Sequence, residues 1–491
     1  MIQPQGNRLI PRLGPILLGA VVLLALGLFA WASLLLEGPG FPLDDAWIHQ
    51  TYARSLAQGE GWRFAGQPSN GSTSPLWTLL LIPGHLVGLA PSLWAGVVGA
   101  ALLLALGLLV KDELGRHLRT ESWLAWLGAA LVVLEWHLLW SALSGMETLA
   151  AGFLALGLSI VLWRRRQVGL LAGVLVGAGV WIRPDLLTLL GPAAWVALLS
   201  AGDRRQRTTA WLRFGLGMVA LAGPYLLFQF RLAGQPWPST FYAKQAEYAE
   251  LLALPLANRW LGLWMPLLAG SLTALTPGVM VWAYRRLQER RWADLAPLLW
   301  VEGYALLFAL RLPVSYQHGR YLLPLLPVLL TLGVLGWADL WQRWQAGRTA
   351  WITQRVWALT ILATTLVFGW LGANAFATDV AIIETEMVRG ARWIRANTGP
   401  SALVAAHDIG ALGYYGQRSI LDLAGLVSPE VIPILRDQEA LSDLLDQRWA
   451  DYLMTFPGWY PALTAGRVPA FQTEGRFSPA AGGENMAIFP W

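Results

Sequence analysis

Two adjacent carboxylates, Asp44 and Asp45, open the stretch PLDDAWIHQTYARSLAQGEGW that starts at Pro42. The sequence predicts a helix here, with Asp44 as N-cap, Asp45 in the first turn, and Gly59 and Gly61 ending it. Neighbouring positions on a helix point about 100° apart, so one carboxylate can cap while the other faces a cavity. A helix N-terminus favours the ionised carboxylate, and His49, one turn beyond Asp45, is placed to orient it. That arrangement suits a general base acting on a hydroxyl. The same pair also fits two acids that do no more than cap a helix.

Cationic and hydrogen-bonding groups recur in other polar, Gly/Pro-rich segments. GQPWPSTFYAKQ, from Gly234, carries Tyr242 and Lys244, and Lys244 is one of only two lysines in the chain, the other being Lys111. It is suited to holding a phosphate, or to snorkelling beside an aromatic belt. RLPVSYQHGRYLLP, from Arg311, brings Tyr316, His318 and Arg320 to the mouth of an apolar run. Arginine offers a forked donor set that matches phosphate oxygens, although a cation capping a helix reads the same way. Two shorter turns add SGMET, with Glu147, and IRPD, where Arg183 can simply pair with Asp185. Taken together, a base activates an acceptor hydroxyl, cations stabilise a departing phosphate, and aromatics stack on sugar faces. Beyond the acid pair there is no cluster with metal-ligand spacing, and a divalent cation stays an open question.

The elements that must position these groups are membrane helices. The chain has 491 residues, 56% hydrophobic and 13% charged, whereas soluble domains need about twice that charge on their surfaces. Apolar runs of roughly 15 to 25 residues alternate with short charged clusters, the pattern of a helical bundle in a bilayer. The net charge of +5 reports orientation rather than a nucleic-acid partner. Its basic clusters, Arg164 to Arg166, Arg204, Arg205 and Arg207, and Arg285, Arg286, Arg290 and Arg291, fall in short loops, as positive-inside retention requires. With no cysteine, disulfides and thiolate sites are excluded. The first run, Leu13 to Leu36 behind Arg8 and Arg12, is too long for a signal peptide despite the small-x-small triplet at Ala30 to Ala32.

From a cytoplasmic N-terminus the charges predict about eleven spans, at 13–36, 91–110, 122–140, 147–163, 168–182, 186–201, 210–230, 262–283, 293–311, 321–340 and 351–375. Counting residues 75–90 as a further span would put Lys111, Arg116 and Arg119 outside and invert every later cluster. That segment is therefore predicted to be a juxtamembrane or re-entrant helix, interrupted at Pro83-Gly84, within a first external loop of about 37–90. Residues 1–375 form the membrane module, and 376–491 a small extracytoplasmic α/β domain in which ALVAAHDIGALGYYGQRSILDLAGL reads as strand, turn, strand and helix start. His407, Asp408 and Asp422 there read as structural turn residues. No internal repeat is visible.

On these residues the sequence resembles the C superfamily of membrane glycosyltransferases (GT-C), most nearly its branch of cell-wall arabinofuranosyltransferases that use a decaprenyl-phosphate sugar donor. The matching stretches are DDAWIHQTYARSLAQGEGWRF with STSPLW, then SGMET, RPD, PSTFYAK, HGRYLLPLLP and HDIGALGYYGQRSILDLAGL, in order over most of the chain. The resemblance implies a multi-pass protein of the cytoplasmic membrane, a polyprenyl-phosphate sugar donor, and an extracytoplasmic glycan, lipid or protein acceptor. It implies a catalytic Asp in the first external loop, Asp44 first and Asp45 second. Lys244, Tyr242, His318, Arg320, Tyr316, Arg183, His49 and Glu147 are then the candidates for binding donor phosphate and sugar. The stretch AGQPSNG before STSPLW lacks an acid expected in the arabinofuranosyltransferase branch, which leaves the sugar open. The alternative class is a transporter or flippase of lipid-linked saccharides, which would use ionisable residues near the bilayer midplane; Glu135 with His137, and Glu302, are the nearest to that description. A non-catalytic assembly subunit is a third reading.

Overall fold

Backbone inside hydrocarbon must satisfy its own amides and carbonyls, so the apolar runs fold as helices. The computed structural model describes residues 10–118, 123–343 and 347–491; Arg8, Arg119 and the first residue of the 122–140 span lie outside them. The helices are α1 (Ile10–Leu36), α2 (Asp45–Ala57), α3 (Pro75–Leu86), α4 (Pro91–Leu118), α5 (Trp123–Val133), α6 (Trp136–Leu143), α7 (Thr148–Arg165), α8 (Leu170–Ile182) and α9 (Leu190–Leu199). After them come α10 (Arg204–Ala233), α11 (Ser239–Glu247), α12 (Leu256–Leu268), α13 (Ser271–Gln288), α14 (Ala296–Arg311), α15 (Tyr316–Gly319), α16 (Leu326–Arg343), α17 (Arg348–Ile383) and α18 (Arg389–Asn397). A short hairpin, β1 (Arg63–Phe64) with β2 (Gln67–Pro68), follows α2.

Among the described residues, seven helices are long and apolar enough to cross a membrane, or nine if the bent pairs α5–α6 (58°) and α12–α13 (111°) each count as one. Reaching eleven requires α8 and α9 as well. At about 1.5 Å per residue, the 13 residues of α8 fall short of a core about 30 Å thick. Small residues let α8 lie backbone to backbone on α10: a Cβ on Gly173 would strike the Phe214 carbonyl, and one on Gly217 the Leu170 carbonyl. The same device joins α13 to α16, where a Cβ on Gly278 would strike the Gly333 carbonyl and one on Gly336 the Gly278 carbonyl.

The bends are held by polar groups. Glu135, between α5 and α6, accepts the Ser271 amide at 2.9 Å and the Ser271 hydroxyl, capping α13, and accepts from His137 Nδ1 at 2.8 Å. His137 Nε2 faces the Pro266 carbonyl at 3.1 Å. The Glu135–His137 pair therefore ties two broken helices together, while Glu302 lies exposed. The interruption expected at Pro83-Gly84 does not occur. α3 runs through both residues to Leu86, with Trp94 packed on Gly84 and its indole donating to the Leu80 carbonyl at 2.9 Å.

Composition changes near 376, but the helix does not stop there. α17 continues through a π-helical turn, Glu384–Val388, into α18. The tail then builds a five-stranded sheet from β3 (Leu403–Ala406), β4 (Ser419–Asp422), β5 (Tyr452–Thr455), β6 (Phe471–Gln472) and β7 (Ala487–Pro490), in the order β4-β3-β5-β7-β6. β3 is parallel to both neighbours, pairing Ala405 with Leu421 and with Leu453, and β7 is antiparallel to both of its own. The turn expected between the first two strands is a helical segment, Gly410 to Gly416.

Candidate functional site

Asp44 stands at the N-cap position of α2 but has helical dihedrals and does not cap it. It caps the tail's helical segment instead: Oδ2 accepts the Gly410 amide at 2.6 Å and Oδ1 the Ala411 amide at 2.8 Å. Gly410 is required there, because a Cβ would strike the Asp44 carbonyl oxygen. Both Asp44 oxygens are thus engaged in fastening the tail to the first loop. Burial, and the Asp408 carboxylate beside it, push the Asp44 pKa up to about 8 against the pull of the two amides.

One residue on, Asp45 points the other way and meets Arg320 Nη2 at 2.7 Å. Burial acts to raise its pKa, but Arg320 and Lys244 prevail and hold it at about 2. Arg320, only 6% exposed, also donates from Nη2 to the Tyr321 hydroxyl at 3.2 Å. Its Nε and Nη1 are buried and have no partner among the described residues. Lys244 pairs with Glu247 at 3.2 Å. Burial would lower the Lys244 pKa, yet the Tyr316 and Tyr321 phenols and the Asp45 and Glu247 carboxylates raise it.

Two cavities meet at these groups. The larger, about 830 Å³, lies between the first loop, α11, α15 and the tail; Asp44, Asp45, Tyr316, His407, Asp408 and Trp459 are among its walls. The second, about 470 Å³, is walled by Phe241, Leu307, Phe308, Leu312 and Met146, with Glu147 and Arg183 at its polar side. Asp45, Lys244 and Arg320 line both. A polar chamber and an apolar groove are therefore joined by a carboxylate and two cations.

The remaining expected residues divide. Tyr316 faces the larger cavity and accepts from the Tyr248 hydroxyl at 3.1 Å. Arg183 is paired with Asp185 at 2.7 Å, and lies 3.8 Å from Glu147. His49 does not bond to Asp45; its ring meets Thr78 Oγ1 at 3.3 Å and Glu147 Oε2 at 3.5 Å. Tyr242 lines neither cavity, since the helical step that puts Phe241 and Lys244 on the cavity face of α11 turns it aside, against Phe241. His318 is also off the site: positive φ angles at Gln317 and His318 (53° and 60°) swing its ring between Trp136 and Trp140, where Nε2 meets Asp379 at 2.7 Å.

The structure adds groups that the sequence did not place at the site. His407, read as a turn residue, has Nδ1 2.8 Å from the Tyr460 hydroxyl and Nε2 3.4 Å from Glu247. Burial works to lower its pKa, but Glu247 and Asp408 raise it. Glu247 in turn is held at about 2, because His407 and Lys244 outweigh burial. Asp408 lines the cavity with Oδ2 unpartnered among the described residues, and burial lifts its pKa to about 6. The only local signals were the i, i+3 spacing of Lys244 and Glu247 and the HDIG tetrad itself. Asp422 is a turn residue as read, accepting the Ala424 and Val427 amides. Among the described residues no group of three or more His, Asp or Glu converges at metal-ligand spacing.

A family model described as a domain of unknown function, DUF8728, matches residues 378–489. No curated protein sequence matches the chain. Among solved structures, ArnT from Cupriavidus metallidurans bound to undecaprenyl phosphate is similar over 96% of this chain and 97% of its own, at 13% identity and a TM-score of 0.57. The Archaeoglobus fulgidus oligosaccharyltransferase tethered with an acceptor peptide containing the NVT sequon is similar over 91% of this chain and 70% of its own, at 12% identity and 0.55. The arabinofuranosyltransferase AftD from Mycobacteria aligns with 88% of this chain and 35% of its own, at 16% identity and a TM-score of 0.47. Over nearly its whole length the chain has the GT-C fold of membrane glycosyltransferases.

Proposed function

We propose that this protein transfers a sugar from a polyprenyl-phosphate donor to an extracytoplasmic glycan, lipid or protein acceptor. The observation that carries the reading is the meeting of a polar and an apolar cavity at Asp45, Lys244 and Arg320. A prenyl chain suits the groove of Phe241, Leu307, Phe308 and Leu312, and the similar ArnT structure holds undecaprenyl phosphate. The donor phosphate is placed at Lys244 and at the free Nε and Nη1 of Arg320, and the sugar reaches into the larger chamber. The acceptor comes from the tail side, where the half-exposed Trp459 offers a face to a sugar ring.

In the proposed step Asp45 accepts the proton of an acceptor hydroxyl, and the oxygen forms a bond to the anomeric carbon. The bond from that carbon to the phosphate oxygen breaks, and its electron pair leaves on the lipid phosphate, which the two cations hold. A single displacement of this kind inverts the anomeric centre. Asp45 is preferred to Asp44 because the Asp44 oxygens are taken by the Gly410 and Ala411 amides. While paired with Arg320, Asp45 is a weak base; a phosphate that draws Arg320 away raises its basicity only when donor is bound. Two positions are part of the same proposal: the tail outside the cytoplasm and the basic loops inside. The transporter reading gains nothing from Glu135 and His137, which bind helix ends to one another.

The test is transfer of labelled sugar from a panel of polyprenyl-phosphate sugars by purified protein in lipid, comparing wild type with Asp44→Asn and Asp45→Asn. Loss of transfer in folded Asp45→Asn supports the assignment. Wild-type rates in that variant would sink it.

A further inference from the structure

At the other end of the bundle lies a third cavity, of about 650 Å³, walled by the C-terminal ends of α4, α7, α13 and α16. The Asp45 site sits by contrast where α7 and α16 begin, beside Glu147 and Arg320. Among the described residues, six arginines and four carboxylates line the far cavity. Each carboxylate is already engaged: Asp339 with Arg285 at 2.7 Å, Asp294 with Arg291 at 2.5 Å, Glu289 with Arg286 at 2.9 Å, and Glu113 with Arg164 at 2.8 Å. Asp112 and Arg166 pair into the same network from outside the lining, one charge of each sign, so they leave the excess of two cations unchanged. His117 is also turned to Glu113, at 3.2 Å.

A plain structural account covers part of this, since arginines at helix C-termini offset the helix dipoles as well as the acids. It does not account for the open volume, nor for three buried donors that find no acceptor among the described residues: Arg286 Nε, Arg291 Nε and Trp282 Nε1. Arg286 Nε is 4.0 Å from Asp294 Oδ2, beyond hydrogen-bond reach. Unsatisfied buried donors beside an open, arginine-lined cavity match an anion with several acceptor oxygens, which is a phosphate group.

The surroundings favour a lipid as its carrier. On α13, Tyr284 and Leu287 flank Arg285 and Arg286 and are exposed, and Trp292, next in sequence to Arg291, is exposed as well, the residue types that meet headgroups and acyl chains. Basic pockets between membrane helices on the positive side are general binding sites for anionic headgroups. We propose that this cavity binds the phosphate of an anionic phospholipid, at a site separate from that of the sugar donor.

The experiment is thermal unfolding of the full chain in phosphatidylcholine nanodiscs with and without phosphatidylglycerol, and with inorganic phosphate alone. Wild type is expected to gain several degrees, saturably, with phosphatidylglycerol. Arg286→Gln/Arg291→Gln is expected to lose that gain. Arg320→Gln, at the donor site, and Arg205→Gln, on the same end but outside the cavity, are expected to keep it. Should the double variant not fold, Arg286→Lys retains the charge but not Nε, and must weaken phosphatidylglycerol binding about tenfold, the worth of one charged hydrogen bond. No gain when phosphatidylglycerol is added to phosphatidylcholine, the same gain from inorganic phosphate, a gain retained by the cavity variants, or a gain lost in Arg320→Gln each overturns the proposal.

Discussion

Asp44 and Asp45 are one residue apart and chemically alike, and the helical step between them separates their roles. Asp45→Asn is expected to lower sugar transfer by roughly 10²- to 10⁴-fold and, because it leaves the buried Arg320 without its carboxylate, to lower the unfolding temperature as well, so initial rate is measured below the temperature at which the variant unfolds. Asp44→Asn is expected to affect the tail's attachment first. Its pKa in the fold is about 8 against an ordinary 3.8. Between about pH 4 and 8 the folded state therefore holds more protons at Asp44 than the unfolded chain does. Stability from this group is full below the unfolded value and falls as pH rises toward 8. The unfolding temperature of Asp44→Asn should consequently decline less from pH 5 to 8 than that of wild type. An equal decline would show that the two amides, rather than burial and Asp408, set its ionisation.

The helices are positioned by close approaches that tolerate no added atom. A Cβ on Gly336 would strike the Gly278 carbonyl of α13, and both partners are backbone. Gly336→Ala is expected to destabilise the α13–α16 pair by about 1–3 kcal/mol, seen as a lower unfolding temperature in detergent. Elements that can shift should tolerate the same change, and a Cβ on Gly303 of α14 meets nothing within 4 Å. At this scale the sequence was legible for helix existence and opaque for helix partnership. The apolar runs announce α1, α4 and α7 directly, whereas the shortness of α8, the sharp α12–α13 bend and the passage of α3 through Pro83 depend on what packs alongside.

Across the whole molecule, the site exists only where the first loop, α11, α15 and the tail come together. Under the proposed function, an apolar groove that feeds a polar chamber makes chain length on the donor matter to binding more than to chemistry. Leu312→Trp, which fills the groove, is expected to raise KM for a long-chain donor on the order of tenfold, about 1.4 kcal/mol of lost contact, with kcat little changed. Transfer from a short-chain donor should be unaffected, and equal losses with both donors would place the lipid elsewhere.

The sequence by itself determined that the chain is a bundle of membrane helices with a mixed α/β tail, and it marked the Asp44–Asp45 pair, Lys244 and Arg320. These are local facts, because a bilayer demands long apolar runs and leaves charged residues conspicuous between them. Only the tertiary structure decided which aspartate fastens the tail and which lines both cavities beside Arg320, because the amides that occupy Asp44 come from residues 366 and 367 positions away. It likewise set His318 on Asp379, turned Tyr242 and His49 from the site, and brought in Glu247, His407 and Asp408. Periodicity reports the face a residue occupies on its own helix; what that face meets is fixed by packing between segments far apart in the chain.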